Sequence, residues 1–381
     1  MNHRGFLYGA SMSAHQVEGN CVNNNWWKYE QSRLPKFRSG IACDHWNRYK
    51  EDFALAHQLG HTAHRLSLEW SKIEPIEGKF DARAIQHYRE VLLELKKYNI
   101  KTFVTLHHFT NPLWFEKRGG WQTYQAPEAF AKYVQYCAGH LGDLVDFWIT
   151  INEPMVYVVQ SYYKAIWPPQ KKNVFTMLRV MNHFAHAHLR AYRVLRRITP
   201  HIPVGLAYSL VAYVPEYPDS VFDRLQTRIK NWFFNHRFFS LIKNKQDFIG
   251  VNYYFTNYSD KKDVVRSDMG WIISPEGLTQ VLLGIKKYNK PIYITENGIA
   301  DAHDVNRAEF ITSHLRAIEL AQKQGVDVRG YLYWSLLDNF EWAEGFEPRF
   351  GLIAIDYKTQ TRTIRPSALV YKAIIEQAKR G

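Results

Sequence analysis

Eight short, largely apolar runs recur along the chain, at 6–11, 62–68, 102–107, 147–152, 204–209, 248–253, 292–295 and 331–334. They lack the in–out alternation of a half-buried strand, which is the pattern of strands covered on both faces. Between them the period lengthens to that of a helix. Asp81 is placed to cap a helix whose Ile85, Tyr88, Val91, Leu92 and Leu95 share one face. Pro127 suits the first turn of another, with Phe130, Tyr133, Val134, Cys137 and Leu141 on its inner stripe. Further helical patterns cover 174–198, 308–324 and 366–378. Eight strands alternating with helices predict an α/β fold, a single (β/α)8 barrel spanning 1–381 as one domain. A doubly wound open sheet is the competing arrangement, but no glycine-rich turn follows the first strand to cradle a phosphate.

The length of 381 residues would also allow two or three ordinary domains. No linker or change in composition divides the chain, so the barrel stands. Aromatic residues make up 15% of it, enough for a thick core and for a few ring faces against which a sugar could stack. The formal charge of +13 raises the question of nucleic acid, but the basic residues are scattered, with only short clusters such as Lys171-Lys172 and Arg196-Arg197. Cys21, Cys43 and Cys137 show no paired spacing and leave one over, which points to a reducing compartment. No leader pattern opens the sequence and no apolar run is long enough to cross a bilayer. The expectation is a cytoplasmic protein with neither nucleic-acid nor membrane partner.

The C-terminal ends of barrel strands carry the chemistry in such folds. Here those ends offer Gln16, Arg65, His107-His108-Phe109, Asn152-Glu153-Pro154, Asn252-Tyr253-Tyr254, Thr295-Glu296-Asn297-Gly298 and Trp334, with Glu341-Trp342 following. A glutamate aimed into the barrel mouth must lose water and therefore needs partners. Arg65, Tyr254 and the amides are candidates for Glu296. Two carboxylates across a sugar-sized cleft are what glycoside cleavage requires, one protonated to assist the leaving oxygen and one ionised.

Thr150-Ile-Asn-Glu-Pro154 and Ile294-Thr-Glu-Asn-Gly298 resemble the two signature segments of glycoside hydrolase family 1, the β-glucosidase family. The likeness runs nearly end to end, through Gln16-Val-Glu-Gly19, Arg65-Leu-Ser-Leu-Glu-Trp70, Thr105-Leu-His-His-Phe109, Gly250-Val-Asn-Tyr-Tyr254 and Tyr333-Trp-Ser-Leu-Leu-Asp-Asn-Phe-Glu-Trp342. It continues into Arg349-Phe-Gly-Leu352 and Asp356-Tyr-Lys-Thr-Gln360. The resemblance implies a retaining β-glycosidase acting on small β-glycosides or oligosaccharides without cofactor or metal. It makes Glu153 the acid/base and Glu296 the nucleophile. Asn152 would bind the sugar 2-hydroxyl, and Gln16, His108, Glu341 and Trp342 the other hydroxyls. Trp334 would floor the ring, and Tyr254 would contact both nucleophile and sugar. Arg65, Asn252, Phe109 and Phe350 take supporting positions. β-Glucosidase action with some β-galactosidase or β-fucosidase activity is expected. Preferential sugar transfer, or a catalytically inactive sugar-binding protein on the same scaffold, are the alternatives.

Two departures from the family pattern stand out. Most members carry Trp where this chain has Phe109, so an indole N–H near the 3-hydroxyl is missing. The chain is also short, with 143 positions from Glu153 to Glu296, which implies trimmed loops between strands 4 and 7 and a more open aglycone entrance. Glu341 as an anion would repel a 6-phosphate. His183, His186 and His188 lack the partners of a metal site and read as packing or surface residues. His107 reads as structural, and Glu18, Glu69 and Glu74 are set aside.

Overall fold

The computed structural model describes residues 5–257 and 264–380. Strands β1 (Leu7–Ser11), β2 (Ala63–Ser67), β3 (Lys101–His107), β4 (Phe147–Asn152), β5 (Val204–Ser209), β6 (Phe248–Asn252), β7 (Ile292–Asn297) and β8 (Val328–Trp334) pair in parallel and close with β8 against β1. Every predicted strand is present. β7 runs two residues further than its apolar run, because Glu296 and Asn297 stay in the ladder despite being polar, and β8 begins three residues earlier.

The eight longest helices among the described residues are α1 (His45–Gln58), α2 (Ala82–Lys97), α3 (Ala126–Leu141), α4 (Val174–Ile198), α5 (Val221–Asn231), α6 (Pro275–Ile285), α7 (Arg307–Lys323) and α8 (Pro366–Arg380); all but α5, which buries no residue, cover the barrel. Asp81 caps α2 by accepting from the Arg83 and Ala84 amides, and Pro127 lies in the first turn of α3. Ile85, Leu92, Phe130 and Val134 face the barrel in one continuous apolar layer.

The interior is plugged below the mouth. Ala63, Phe103, Ile149, Ala207, Phe248, Tyr293 and Leu332 supply one side chain from each of seven strands, and Leu7 from β1 completes the ring. Phe103 and Phe147 stack with centroids 4.2 Å apart, and Phe248 and Tyr293 meet them edge-on or tilted. This closes the bottom to water, so the polar residues one layer higher act in a low-dielectric floor.

Simple alternation from Phe147 and Tyr293 would turn Asn152 and Glu296 outward. Register shifts between Ile149 and Asn152, Val251 and Asn252, and Ile294 and Asn297 break that alternation and re-aim both side chains into the mouth. Gly298 then passes so close to the Trp334 carbonyl that a Cβ would collide with it.

A hairpin that was not among the predicted strands, β9 (Ile353–Asp356) with β10 (Thr361–Ile364), braces the loop after β8. Asp338 is its anchor: fully buried, it takes both arms of Arg365 at 2.8 and 3.0 Å and the Gly351 amide at 2.8 Å. The loop so held carries Glu341 and Trp342. Removing one partner of a buried charge pair leaves the other unpaired, so Asp338→Ala should lower unfolding free energy by about 3–5 kcal/mol. Denaturant titration checks this; a loss no larger than that of an exposed Asp327→Ala control would refute it.

Candidate active site

At the C-terminal mouth lies a cavity of about 420 Å³ lined by Gln16, His108, Phe109, Asn152, Glu153, Tyr254, Glu296, Trp334, Glu341, Trp342 and Phe350. Arg65 and Asn252 sit beneath it, both fully or almost fully buried. All the site residues picked from sequence therefore meet in one place, of a size suited to a small ligand.

Arg65 organises the floor. Its Nη1 donates to Glu296 Oε1 at 2.5 Å, its Nη2 to Asn152 Oδ1 at 2.6 Å, and its Nε to Thr105 Oγ1 at 3.0 Å. The other Glu296 oxygen accepts from Tyr254 Oη at 2.5 Å. Burial pushes the Glu296 carboxyl upward, opposed by the Arg65 charge and the donors on both oxygens. Burial likewise raises the Tyr254 phenol well above its ordinary range, which keeps it a donor.

Glu153 is differently placed. It follows β4 with φ of 43°, in the left-handed region, and Pro154 begins the next helix (Pro154–Tyr162) immediately after it. Its carboxylate does not cap that helix and is free to face the cavity. The Asn252 amide donates to Glu153 Oε1 at 2.8 Å and reaches Asn152 Oδ1 at 3.1 Å, while Thr295 Oγ1 pins the Asn252 carbonyl at 2.7 Å. Burial, with the Glu296 charge next, pushes Glu153 up to about 8. Arg65 favours the charged form of Glu296, and that charge in turn disfavours a second one on Glu153.

The remaining groups surround this pair. The Asn152 amide meets His108 Nε2 at 3.2 Å, so Nε2 accepts and the proton sits on Nδ1. Burial holds His108 neutral by pushing it well below the usual range, and the buried Nδ1 has no protein partner among the described residues. It is a donor left over for a ligand hydroxyl. Gln16 donates to the Phe340 carbonyl at 2.8 Å and to Glu341 at 3.3 Å. Trp334 packs on Ala300 and Phe350. Trp342 lies nearly parallel to His15 at 5.7 Å and rests on buried Trp26 at 4.7 Å. Burial, then the Glu296 charge, pushes Glu341 up to about 8. At neutral pH Glu341 therefore carries less negative charge than its sequence alone implies, which weakens the charge argument against a 6-phosphate.

Several lining residues escaped the sequence reading: Val156, Gln160, Lys164 and Trp167 beside the Pro154–Tyr162 helix, Val211 after β5, and Phe255, Met269 and Trp271 after β6. Val156 and Gln160 lie on that helix and the others on loops without periodicity, and no pattern in one sequence marks any of them as lining a site. Residues 258–263, part of the stretch expected to be trimmed, lie outside the described residues.

His186 is exposed, and the other residues set aside have structural partners. His107 bonds Asn111 at 2.9 Å beneath Trp121, and His188 ties Thr150 to the Lys245 carbonyl. His183 meets the Trp121 carbonyl at 2.8 Å. Glu18 bonds Lys72 and Tyr88, Glu69 bonds Ser71 and Thr110, and Glu74 bonds Trp70. His15, Cys21 and Glu69 bring ligand-type atoms within 4.8 Å of one another. Both His15 nitrogens, however, are engaged, with Glu30 at 2.8 Å and Asn24 at 3.0 Å.

Residues 2–240 and 210–380 match the model of glycosyl hydrolase family 1. The chain belongs to that family. It is a glycoside hydrolase. A 1,4-beta-D-glucan glucohydrolase of Thermotoga neapolitana is 29% identical over 98% of this chain and 97% of its own length. A beta-galactosidase of Sulfolobus acidocaldarius is 30% identical over 97% and 94%. Among solved structures, a beta-glycosidase from Pyrococcus horikoshii superposes with a TM-score of 0.93 at 39% identity, covering 98% of this chain and 94% of that one. A beta-glucosidase from Thermotoga maritima in complex with glucoimidazole gives 0.93 at 29%, covering 98% of each. The alignment with the first relative spans 434 positions, more than the 381 residues here, so gaps fall on this hydrolase's side.

Phe109 occupies a constrained spot. Its φ is 70°, the Thr110 amide closes on the His108 carbonyl at 2.9 Å as in a γ-turn, and its ring packs on Trp167 and Trp342. An indole here would return an N–H donor to the cavity. Phe109→Trp should change the kcat/KM ratios among nitrophenyl β-glucoside, β-galactoside and β-fucoside, by about 1 kcal/mol for one hydrogen bond. Ratios identical to wild type would refute the role.

Proposed function

We propose that this hydrolase is a retaining β-glycosidase, principally a β-glucosidase with β-galactosidase or β-fucosidase activity, in which Glu296 is the nucleophile and Glu153 the acid/base. The observation that carries the reading is the unequal company of the two glutamates. Glu296 accepts on both oxygens, from Arg65 and Tyr254, whereas Glu153 accepts a single side-chain bond from Asn252. The first arrangement favours an anion; the second leaves a proton in place near neutral pH.

In the proposed cycle, a β-glycoside enters with its ring on Trp334 and its hydroxyls toward Gln16, His108, Asn152, Glu341 and Trp342. Glu296 attacks the anomeric carbon while Glu153 gives its proton to the leaving oxygen, forming a covalent glycosyl-enzyme. Glu153, now ionised, takes a proton from water, which releases the sugar with its original configuration. Attack from below requires the carboxyl groups about 5–5.5 Å apart, the separation of a retaining pair. Names of relatives support the glucoside and galactoside preference. The gaps relative to those proteins support an open aglycone side that accepts small or varied leaving groups. Poor cleavage of aryl glycosides alongside strong selectivity for one long oligosaccharide would contradict that last point.

On this reading, Glu296→Ala abolishes turnover of nitrophenyl β-glycosides, and Glu153→Ala slows it but regains rate with azide, which replaces the missing base in deglycosylation. Wild-type turnover in Glu296→Ala would refute the mechanism. The pH profile follows from the same groups. Glu153 works protonated, so kcat/KM should fall as pH rises through about 8. Asn252→Ala removes its one side-chain donor, destabilises the anion, and should move that alkaline limb upward. A limb that stays put would show that Glu153 is not the titrating group.

A further inference from the structure

Helix α5 is inside out. A surface helix ordinarily turns its apolar stripe toward the core. Here Val221, Phe222, Leu225 and Ile229, with Trp232 just past its end, follow one another at helical spacing along one face, and all are exposed: Val221 at 70%, Phe222 at 69% and Trp232 at 50%. The side of the helix nearest the protein carries Asp223, Thr227 and Asn231, the only α5 positions that are partly covered. No residue of α5 is buried. Five apolar side chains on one arc are a patch, not scattered surface residues, and such a patch marks an interaction site.

The helix is nevertheless capped and tied to the body of the protein. Ser220 caps it by accepting from the Asp223 amide, and Asp223 accepts from the Tyr217 amide at 2.9 Å. Past its end, Asn235 clasps Val211 through both backbone groups, at 3.1 and 2.7 Å. Val211 lines the active-site cavity, so the exposed stripe is tethered to the mouth of the barrel.

Charge selects the occupant. Arg224, Arg228 and Lys230 stand exposed on α5 itself, and the Arg237 guanidinium lies 5.5 Å from the centroid of the Trp232 ring, against Asp223 as the one acid over residues 221–237; Glu216 and Asp219 lie in the loop before. A second copy of the chain packed across a two-fold axis would oppose this basic rim with itself, in a protein of formal charge +13. An anionic lipid surface would instead pair with the rim while taking up the Phe, Leu, Ile and Trp side chains, as basic amphipathic helices do at an interface.

We propose that α5 docks this hydrolase on anionic membrane surfaces, with its active-site mouth held near the lipid headgroups. No helix among the described residues is long and apolar enough to span a bilayer, so the attachment is peripheral. The expectation of no membrane partner was drawn from the lack of such a span and did not address a surface helix.

Co-sedimentation of the full chain with vesicles tests this. Binding is expected to vesicles of phosphatidylcholine with 30% phosphatidylglycerol, about tenfold weaker to phosphatidylcholine alone, and weaker again at high salt. The double variant F222S/W232S should lose about tenfold in vesicle binding while hydrolysing a soluble nitrophenyl β-glycoside at the wild-type rate, which shows that it is folded. R224E/R228E should lose binding to the anionic vesicles specifically. Failure of the wild type to sediment with anionic vesicles would overturn the proposal. So would light scattering that finds a dimer which F222S/W232S converts to monomer, since a second copy would then cover the stripe.

Discussion

The guanidinium of Arg65 holds the site together. It rises from β2 into the barrel just above an aromatic plug, out of reach of water, and forks between Glu296 on β7 and Asn152 on β4. Burying a charge there costs several kcal/mol, and only an opposite charge with good geometry offsets it. The pairing therefore works in both directions. Glu296 makes the buried arginine tolerable, and Arg65 favours the Glu296 carboxylate against the upward push of burial. Because the third arm reaches Thr105 on β3, one side chain also fixes the relative height of three neighbouring strand ends and of β7 across the barrel.

The division of labour proposed for the two glutamates follows from how the donors around Arg65 are shared. Arg65 and Tyr254 take the oxygens of Glu296; Asn252 is left to serve Glu153 and Asn152 together. Thr295 sets the orientation of that amide by donating to its carbonyl oxygen. The anion on Glu296 then acts on Glu153 through low-dielectric space and helps hold its proton until a leaving oxygen accepts it. His108 is oriented by the same Asn152, so its unpartnered Nδ1 and the two glutamates rest on one hydrogen-bonded floor.

Much of this was legible in the sequence. Strands buried on both faces announce themselves as short apolar runs, and their ends together with the segments that follow them carry every group picked for the site. What stayed hidden has physical causes. Alternation misassigns the facing of Asn152 and Glu296, because register shifts between hydrogen-bonded strands leave no mark in residue type. The β9–β10 hairpin was missed because its outer strand reads as polar and half-exposed. Trp167, Trp271 and Lys164 reach the cavity from irregular loops, where only three-dimensional packing decides direction. The exposed stripe on α5 is periodic enough to be read as a helix, but periodicity alone implies burial, and only the coordinates reveal that the stripe faces outward.

The most direct test of the central claim is to trap the glycosyl-enzyme. Incubation with a 2-deoxy-2-fluoro-β-glucoside bearing a good leaving group slows breakdown of the intermediate, and mass spectrometry of the digested protein locates the added sugar. A single fluoroglucosyl group on the peptide containing Glu296, and none in Glu296→Ala, is the predicted result. A label on Glu153, or rapid turnover by a protein that never accumulates a label and releases the inverted sugar, would contradict it.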